Sequence, residues 1–179
     1  MLSAGDDYPI HQLPEPVALV GTDRNFYDRY YFQGYCADQG VCFGAALGVY
    51  PNLNLMDAAF MVQRDGVQHS VFASRHLGGD RMDTHVGPIQ VRVIEPLQRL
   101  NVSVTAPEQA CHIALEFTGR AAPVQEPRFT YRVGAMTVLD LTRMTQGGTW
   151  QGSIQMAGVS MDVVGWRGAR DRSWGIRPL

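Results

Sequence analysis

Residues 149–164 read Thr-Trp-Gln-Gly-Ser-Ile-Gln-Met-Ala-Gly-Val-Ser-Met-Asp-Val-Val, and this stretch decides the fold class. Trp150, Ile154 and Met156 fall on one side of an extended chain, with Gln151, Ser153 and Gln155 on the other. After Ala157-Gly158 the alternation resumes, setting Val159, Met161 and Val163 against Ser160, Asp162 and Val164. A period of two is the pleat of a β-strand, and a glycine-bearing dipeptide between two such runs reads as a hairpin turn.

Working outward, the same reading covers most of the chain. Candidate strands are Tyr30–Cys36, Val41–Tyr50, Asp57–Gln63, Val67–Ser74, Ile89–Glu95, Leu100–Thr105, His112–Thr118, Phe129–Val133 and Ala135–Leu141. Asp65-Gly66 is a second hairpin signal, since glycine readily takes the positive φ of a type I′ turn. Gly78-Gly79, Ala106-Pro107-Glu108 and Gly147-Gly148 read as breaks. No 3.6-residue periodicity extends over three turns, so the expectation is an all-β antiparallel barrel or strongly curved sandwich of about ten strands. Glycines inside the strand candidates (Gly34, Gly44, Gly48, Gly152) suggest bulges or tight bends and favour the barrel. Residues 1–25, with Pro9, Pro14 and Pro16, read as an extended lead-in, and residues 26–179 as one domain.

Composition narrows the function classes. The 179 residues are 45% hydrophobic with a net charge of −2, which excludes disorder and implies no polyanion-binding surface, hence no nucleic acid. The longest apolar run, Val41–Tyr50, is interrupted by glycines and far shorter than the roughly 20 residues of a helical membrane span. All fifteen basic residues are Arg, which excludes lysine Schiff-base and P-loop chemistry. The acidic start MLSAGDDYPI has no basic region ahead of an apolar core, so a cytoplasmic location is expected. Three cysteines fit free thiols there. A three-residue loop at Asp38–Gly40 would set Cys36 opposite Cys42, as two small buried neighbours within geometric reach of a disulfide.

The stretch His76–His85 holds two His and two Asp, but its glycines and spacing read as a polar loop, and no metal is expected. His69 and His112 fall in strands as ordinary histidines. The aromatic run Phe26, Tyr27, Tyr30, Tyr31, Phe32, Tyr35 reads as a core strand or as the wall of an apolar cavity with hydroxyl handles. Near the C-terminus Arg167, Arg170, Arg172 and Arg177 interleave with Trp166 and Trp174.

Two stretches carry a family likeness: NFYDRYYFQGY (25–35) leading to GVYPN (48–52), and TQGGTWQGSIQMAG (145–158) followed by GWRGARDRSWGIRP (165–178). Together they resemble bacterial proteins of the lipocalin-like superfamily that includes the carotenoid hydratases, or hydroxyneurosporene synthases. The resemblance implies two consecutive lipocalin-like barrels with an apolar ligand site near their interface, of which this chain resembles the N-terminal half. Asp171 matches the residue proposed as proton donor in that family. Where the hydratases carry Tyr and His just before it, this chain has Ala169 and Arg170.

The expected function is therefore a lipocalin-like protein enclosing an apolar small molecule of isoprenoid, steroid or polyketide type. Cofactor-free acid-catalysed hydratase, isomerase or cyclase chemistry could accompany binding, with Asp171 as the acid. Tyr30, Phe32, Tyr35, Trp150, Trp166 and Trp174 are the candidate ligand contacts. The alternative is a non-catalytic interaction barrel that self-associates or docks a second lipocalin-like domain. Asp171 has two readings: an ion pair with Arg170 or Arg172, or an acid desolvated by Trp166 and Trp174.

Overall fold

The computed structural model describes residues 4–11 and 14–178. A 3-10 turn, Ala4–Asp7, is the first described element. Twelve strands follow: β1 (Phe26–Cys36), β2 (Val41–Tyr50), β3 (Leu55–Arg64), β4 (Val67–His76), β5 (His85–Val86), β6 (Ile89–Glu95), β7 (Arg99–Ala106), β8 (Cys111–Gly119), β9 (Val124–Gln125), β10 (Phe129–Val133), β11 (Met136–Met156) and β12 (Val159–Ile176). They form one antiparallel sheet in the order β4-β3-β2-β1-β12-β11-β8-β7-β6-β5, with β9 and β10 also on the β11 edge. The fold is thus all-β, a single strongly curved antiparallel sheet.

The β11–β12 hairpin is its spine, paired from Met156↔Val159 to Asp140↔Ile176. It joins the β1–β4 meander on one side to the β5–β8 meander on the other. Both two-residue turns expected from sequence are present, Asp65-Gly66 and Ala157-Gly158, each with positive φ at both residues. The sheet rolls until β3 and β4 pack against β5 and β6. No backbone ladder closes that seam among the described residues; Arg75 does so instead. Its guanidinium donates to the carbonyls of His76 (2.9 Å), Leu77 (3.0 Å), Asp83 (2.6 Å) and His85 (2.7 Å), and to Asp83 Oδ2 (3.1 Å).

Gly147-Gly148 is not a break, because β11 runs straight through it. Register explains why. Gly34, Gly168, Gly148 and Gly119 lie in one cross-strand row over β1, β12, β11 and β8. A Cβ at Gly34 would overlap the Phe43 ring, at Gly168 the Trp150 indole, at Gly148 the Phe117 ring and at Gly119 the Gln146 amide. The row is a groove cut for bulky neighbours. Trp150 lies in it fully buried, edge-on to Phe32 (5.7 Å), Phe43 (5.1 Å) and Phe117 (5.2 Å), and its Nε1–H donates to Gln33 O (2.9 Å).

A further expectation is corrected. The β1–β2 turn has four residues, so Cys36 faces Val41 and Cys42 faces Tyr35. The core chooses this register: it turns Val41, Phe43, Ala45, Leu47 and Val49 inward, whereas a one-residue slip would turn them all out. Cys36 and Cys42 are free thiols, and Cys42 is exposed, its Sγ 3.3 Å from Gln63 Oε1. The Asp171–Gly175 motif is part of a strand. It lies within β12, paired on both edges, and Gly175 packs against Asp140 and Leu141.

Gly148→Ala should cost about 1–3 kcal/mol by overpacking against Phe117. Gly147→Ala, with nothing within 4 Å of its added Cβ, should be neutral or slightly stabilising. Urea unfolding of the two single variants checks both; equal effects would refute the groove. Arg75→Lys, which keeps the charge and loses the fork, should lower stability by about 1–3 kcal/mol in the same assay.

Candidate functional site

Strand alternation sorts the conspicuous residues of β1, β11 and β12 onto two faces. The inner face carries Asp28, Tyr30 and Phe32 of β1, Arg170, Arg172 and Trp174 of β12, and Met144 and Gln146 of β11. The outer face carries Tyr27, Arg29 and Tyr31, then Asp171 and Ser173, then Arg143 and Thr145.

On the inner face the barrel centre is filled. Phe32, Trp150 and Trp166 pack there with Phe43, Phe60 and Phe117. Gln146 holds the buried Arg170, accepting from its Nε at 2.7 Å while donating to Leu97 O (2.9 Å) and Ala121 O (2.7 Å). Beyond this plug the inner face opens into a cleft of about 860 Å³. Phe26, Tyr30, Val49 and Trp174 supply aromatic and apolar wall, the lead-in crosses above with Val17 and Leu19, and the β4–β5 loop adds Arg81 and Thr84. The lead-in is fastened by Arg81 Nη1 donating to Val17 O (3.1 Å), and by Asn52 Nδ2 donating to Gly21 O and Asp23 O (2.6 Å each).

The cleft's polar floor is a three-residue charge cluster. Arg172 pairs with Asp28 at 2.9 Å and lies over the Tyr30 ring, 3.9 Å from its centroid. Arg81 reaches the other Asp28 oxygen at 3.7 Å. Burial, opposed by Asp28 and reinforced by Arg172, lowers the pKa of Arg81. One carboxylate thus serves two guanidiniums.

Of the sequence-predicted contacts, Tyr30 and Trp174 line this cleft. Phe32, Trp150 and Trp166 are core, and Tyr35 is exposed at the far end of β1. Asp171 faces the other way. Alternation sends Arg170, Arg172, Trp166 and Trp174 to the opposite face, so none of the four is its neighbour. Its neighbours are Arg29 and Arg143, and burial raises its pKa against their charge. Asp171 Oδ1, Ser173 Oγ, Tyr27 Oη, Arg29 Nε and Arg143 Nε are all buried without a hydrogen-bond partner among the described residues. Nearby Tyr50 and Asp57 share a hydrogen bond over Gly48, and burial raises both their pKa values. In the His76–His85 loop, Asp80 and Asp83 accept from the backbone N–H of Met82 and His85, so their carboxylates serve the turn.

Sequence reading missed Asp28 and Arg81. Asp28 stood inside the aromatic run, opposite Trp174 in register, but Arg81 reaches the cleft from a loop and carried no local signal.

Comparison with known proteins fits the geometry. A search of curated proteins found no match. The crystal structure of a putative AttH from Nitrosomonas europaea superposes with a TM-score of 0.66 at 15% identity, over 96% of this chain and 58% of that one. The fold is therefore shared, and this chain spans a little over half the length of that protein. The profile of the family of unknown function DUF8625 matches residues 2–179, and the chain belongs to that family.

Proposed function

We propose that this protein binds an apolar small molecule of isoprenoid, steroid or polyketide type, in a cytoplasmic setting that suits its three free thiols. The observation that carries this reading is the cleft at the open end of the barrel: about 860 Å³, aromatic and aliphatic walls, and a small convergent polar floor. Acid catalysis of the kind suggested by the likeness to carotenoid hydratases is not favoured at this cleft. Asp171 is on the far side of the sheet, and the floor acid, Asp28, is paired with arginine. We therefore favour a binding role without a cofactor.

A second reading draws on the outer face. Val124, Phe129, Tyr131, Val133 and Met136 are more than half exposed along β9, β10 and the start of β11. Beside them lie the unpartnered polar atoms around Asp171 and Ser173. Such a surface suits pairing with a second lipocalin-like domain or a second copy of the chain. The AttH structure, with over two-fifths of its length outside the match, is consistent with that arrangement.

Trp174 is the half-exposed indole, while Trp150 and Trp166 are buried. An apolar ligand should quench tryptophan emission through Trp174, and Trp174→Ala should weaken binding of cis-parinaric acid about tenfold, read from the fluorescence of the ligand itself. Unchanged affinity in that variant would remove the cleft as the site. For the outer face, sedimentation should detect self-association that Tyr131→Glu abolishes; a monomer across the accessible concentration range would refute pairing between copies of the chain.

Asp171→Asn tests the outer acid. A carboxylate whose folded pKa is raised destabilises the fold above that pKa, and the penalty fades as pH falls toward its unfolded value. The variant should therefore match or exceed wild-type stability at pH 7, by less than about 1 kcal/mol given partial exposure, with the gap closing toward pH 4. A loss of about 3 kcal/mol in denaturant melts would instead identify a broken buried pair.

A further inference from the structure

The charge balance of the cleft floor says more about what the cleft takes. Its lining arginines are Arg81, Arg92 and Arg172, and its lining acids are Glu15, Asp28 and Asp83. Asp83 is already held by Arg75 from outside the lining, at 3.1 Å. Glu15 is exposed on the lead-in, where solvent screens its charge. At the floor itself Asp28 is shared between Arg81 and Arg172, whose side chains are only 15% and 22% exposed. Directly behind them is Arg170, 4% exposed, with Nη2 lacking any hydrogen-bond partner among the described residues. Three guanidiniums on the inner face thus answer to a single carboxylate, and partial burial makes each uncompensated charge costly. An anion arriving from the cleft would relieve that cost, and bidentate geometry is what paired guanidiniums offer an oxyanion.

Resting on the binding function proposed above, we infer that the cleft recognises an amphipathic acid: the apolar body lies along Phe26, Val49 and Trp174, and a carboxylate head group sits on Arg81 and Arg172. A carboxylate is preferred to a phosphate monoester because, of the three guanidiniums, only those of Arg81 and Arg172 line the cleft, and these two exceed Asp28 by one charge that a single carboxylate balances, while Arg170 lies behind with its Nε on Gln146; a phosphate brings about −1.5 to −2. Tyr30 lines the cleft as well, with the Arg172 guanidinium carbon 3.9 Å from its ring centroid.

The test compares cis-parinaric acid with its methyl ester by fluorescence titration of the intact chain, and needs no variant for its first arm. The acid should bind at least about tenfold more tightly than the ester, with an advantage that shrinks as salt rises. Arg172→Gln and Arg81→Gln should each collapse the acid-to-ester ratio toward one. Asp28→Asn, which frees both arginines from their competitor, should raise it. Equal binding of acid and ester would overturn the head-group assignment while leaving the apolar cleft standing. Binding of neither would overturn both. A large ratio untouched by all three substitutions would move the acid to another site, and displacement by oleyl phosphate more than tenfold better than by oleate would overturn the carboxylate assignment.

Discussion

The fold depends on bulky side chains, the Trp150 indole at their centre, lying against a row of four glycines. Gly34, Gly168, Gly148 and Gly119 come from four adjacent strands that are far apart in sequence, and their register brings them into line only when the β11–β12 hairpin is paired along its whole length. The indole, the rings of Phe43 and Phe117, and the Gln146 amide occupy the space that four Cβ atoms would have taken. Glycine in a strand loses packing and conformational entropy, so the row offers little on its own account. Its contribution is close approach: it lets a bulky core reach the backbone of the sheet's centre, and the Trp150 N–H bond to Gln33 then ties β11 across β12 to β1.

From that plug the functional geography follows. Because the barrel's middle is solid, space for a ligand remains where the core ends, on the inner face between β1, β12 and the lead-in. The same two-residue period that turns Arg172 and Trp174 into the cleft turns Asp171 and Ser173 out of it. Adjacent residues of one motif therefore serve different surfaces. Arg172 belongs to a charge cluster under an apolar cleft, and Asp171 to a half-buried polar patch beside exposed aromatics of β10. A single motif function, catalytic or structural, does not describe it.

Much of this was legible in the sequence, and what was hidden has identifiable causes. Strands whose hydrophobic side alternates, such as Val41–Tyr50, Ile89–Glu95 and Phe129–Val133, were readable to the residue, as were the Asp65-Gly66 and Ala157-Gly158 turns. Gly147-Gly148 misled because a glycine pair looks the same whether it ends a strand or makes room for a ring from the next one. Residues 166–175 hid their strand because both faces carry polar groups, so the pleat has no hydrophobic side to display. The four-residue turn at Ala37–Gly40 was decided by which side of β2 the core needed, a tertiary demand. Tyr30 and Trp174 could be named beforehand since large aromatics near an arginine cluster are conspicuous. The cleft as a whole could not, being assembled from a lead-in, a loop and two strands.

Hydrogen exchange of the protein with and without bound cis-parinaric acid tests most directly whether the inner-face cleft is the binding site. The account predicts slower exchange confined to residues 14–21, the loop at 81–84 and the C-terminal part of β12, with β9 and β10 unchanged. Protection centred on β9 and β10, or ligand binding without protection around Arg81 and Arg172, would contradict it.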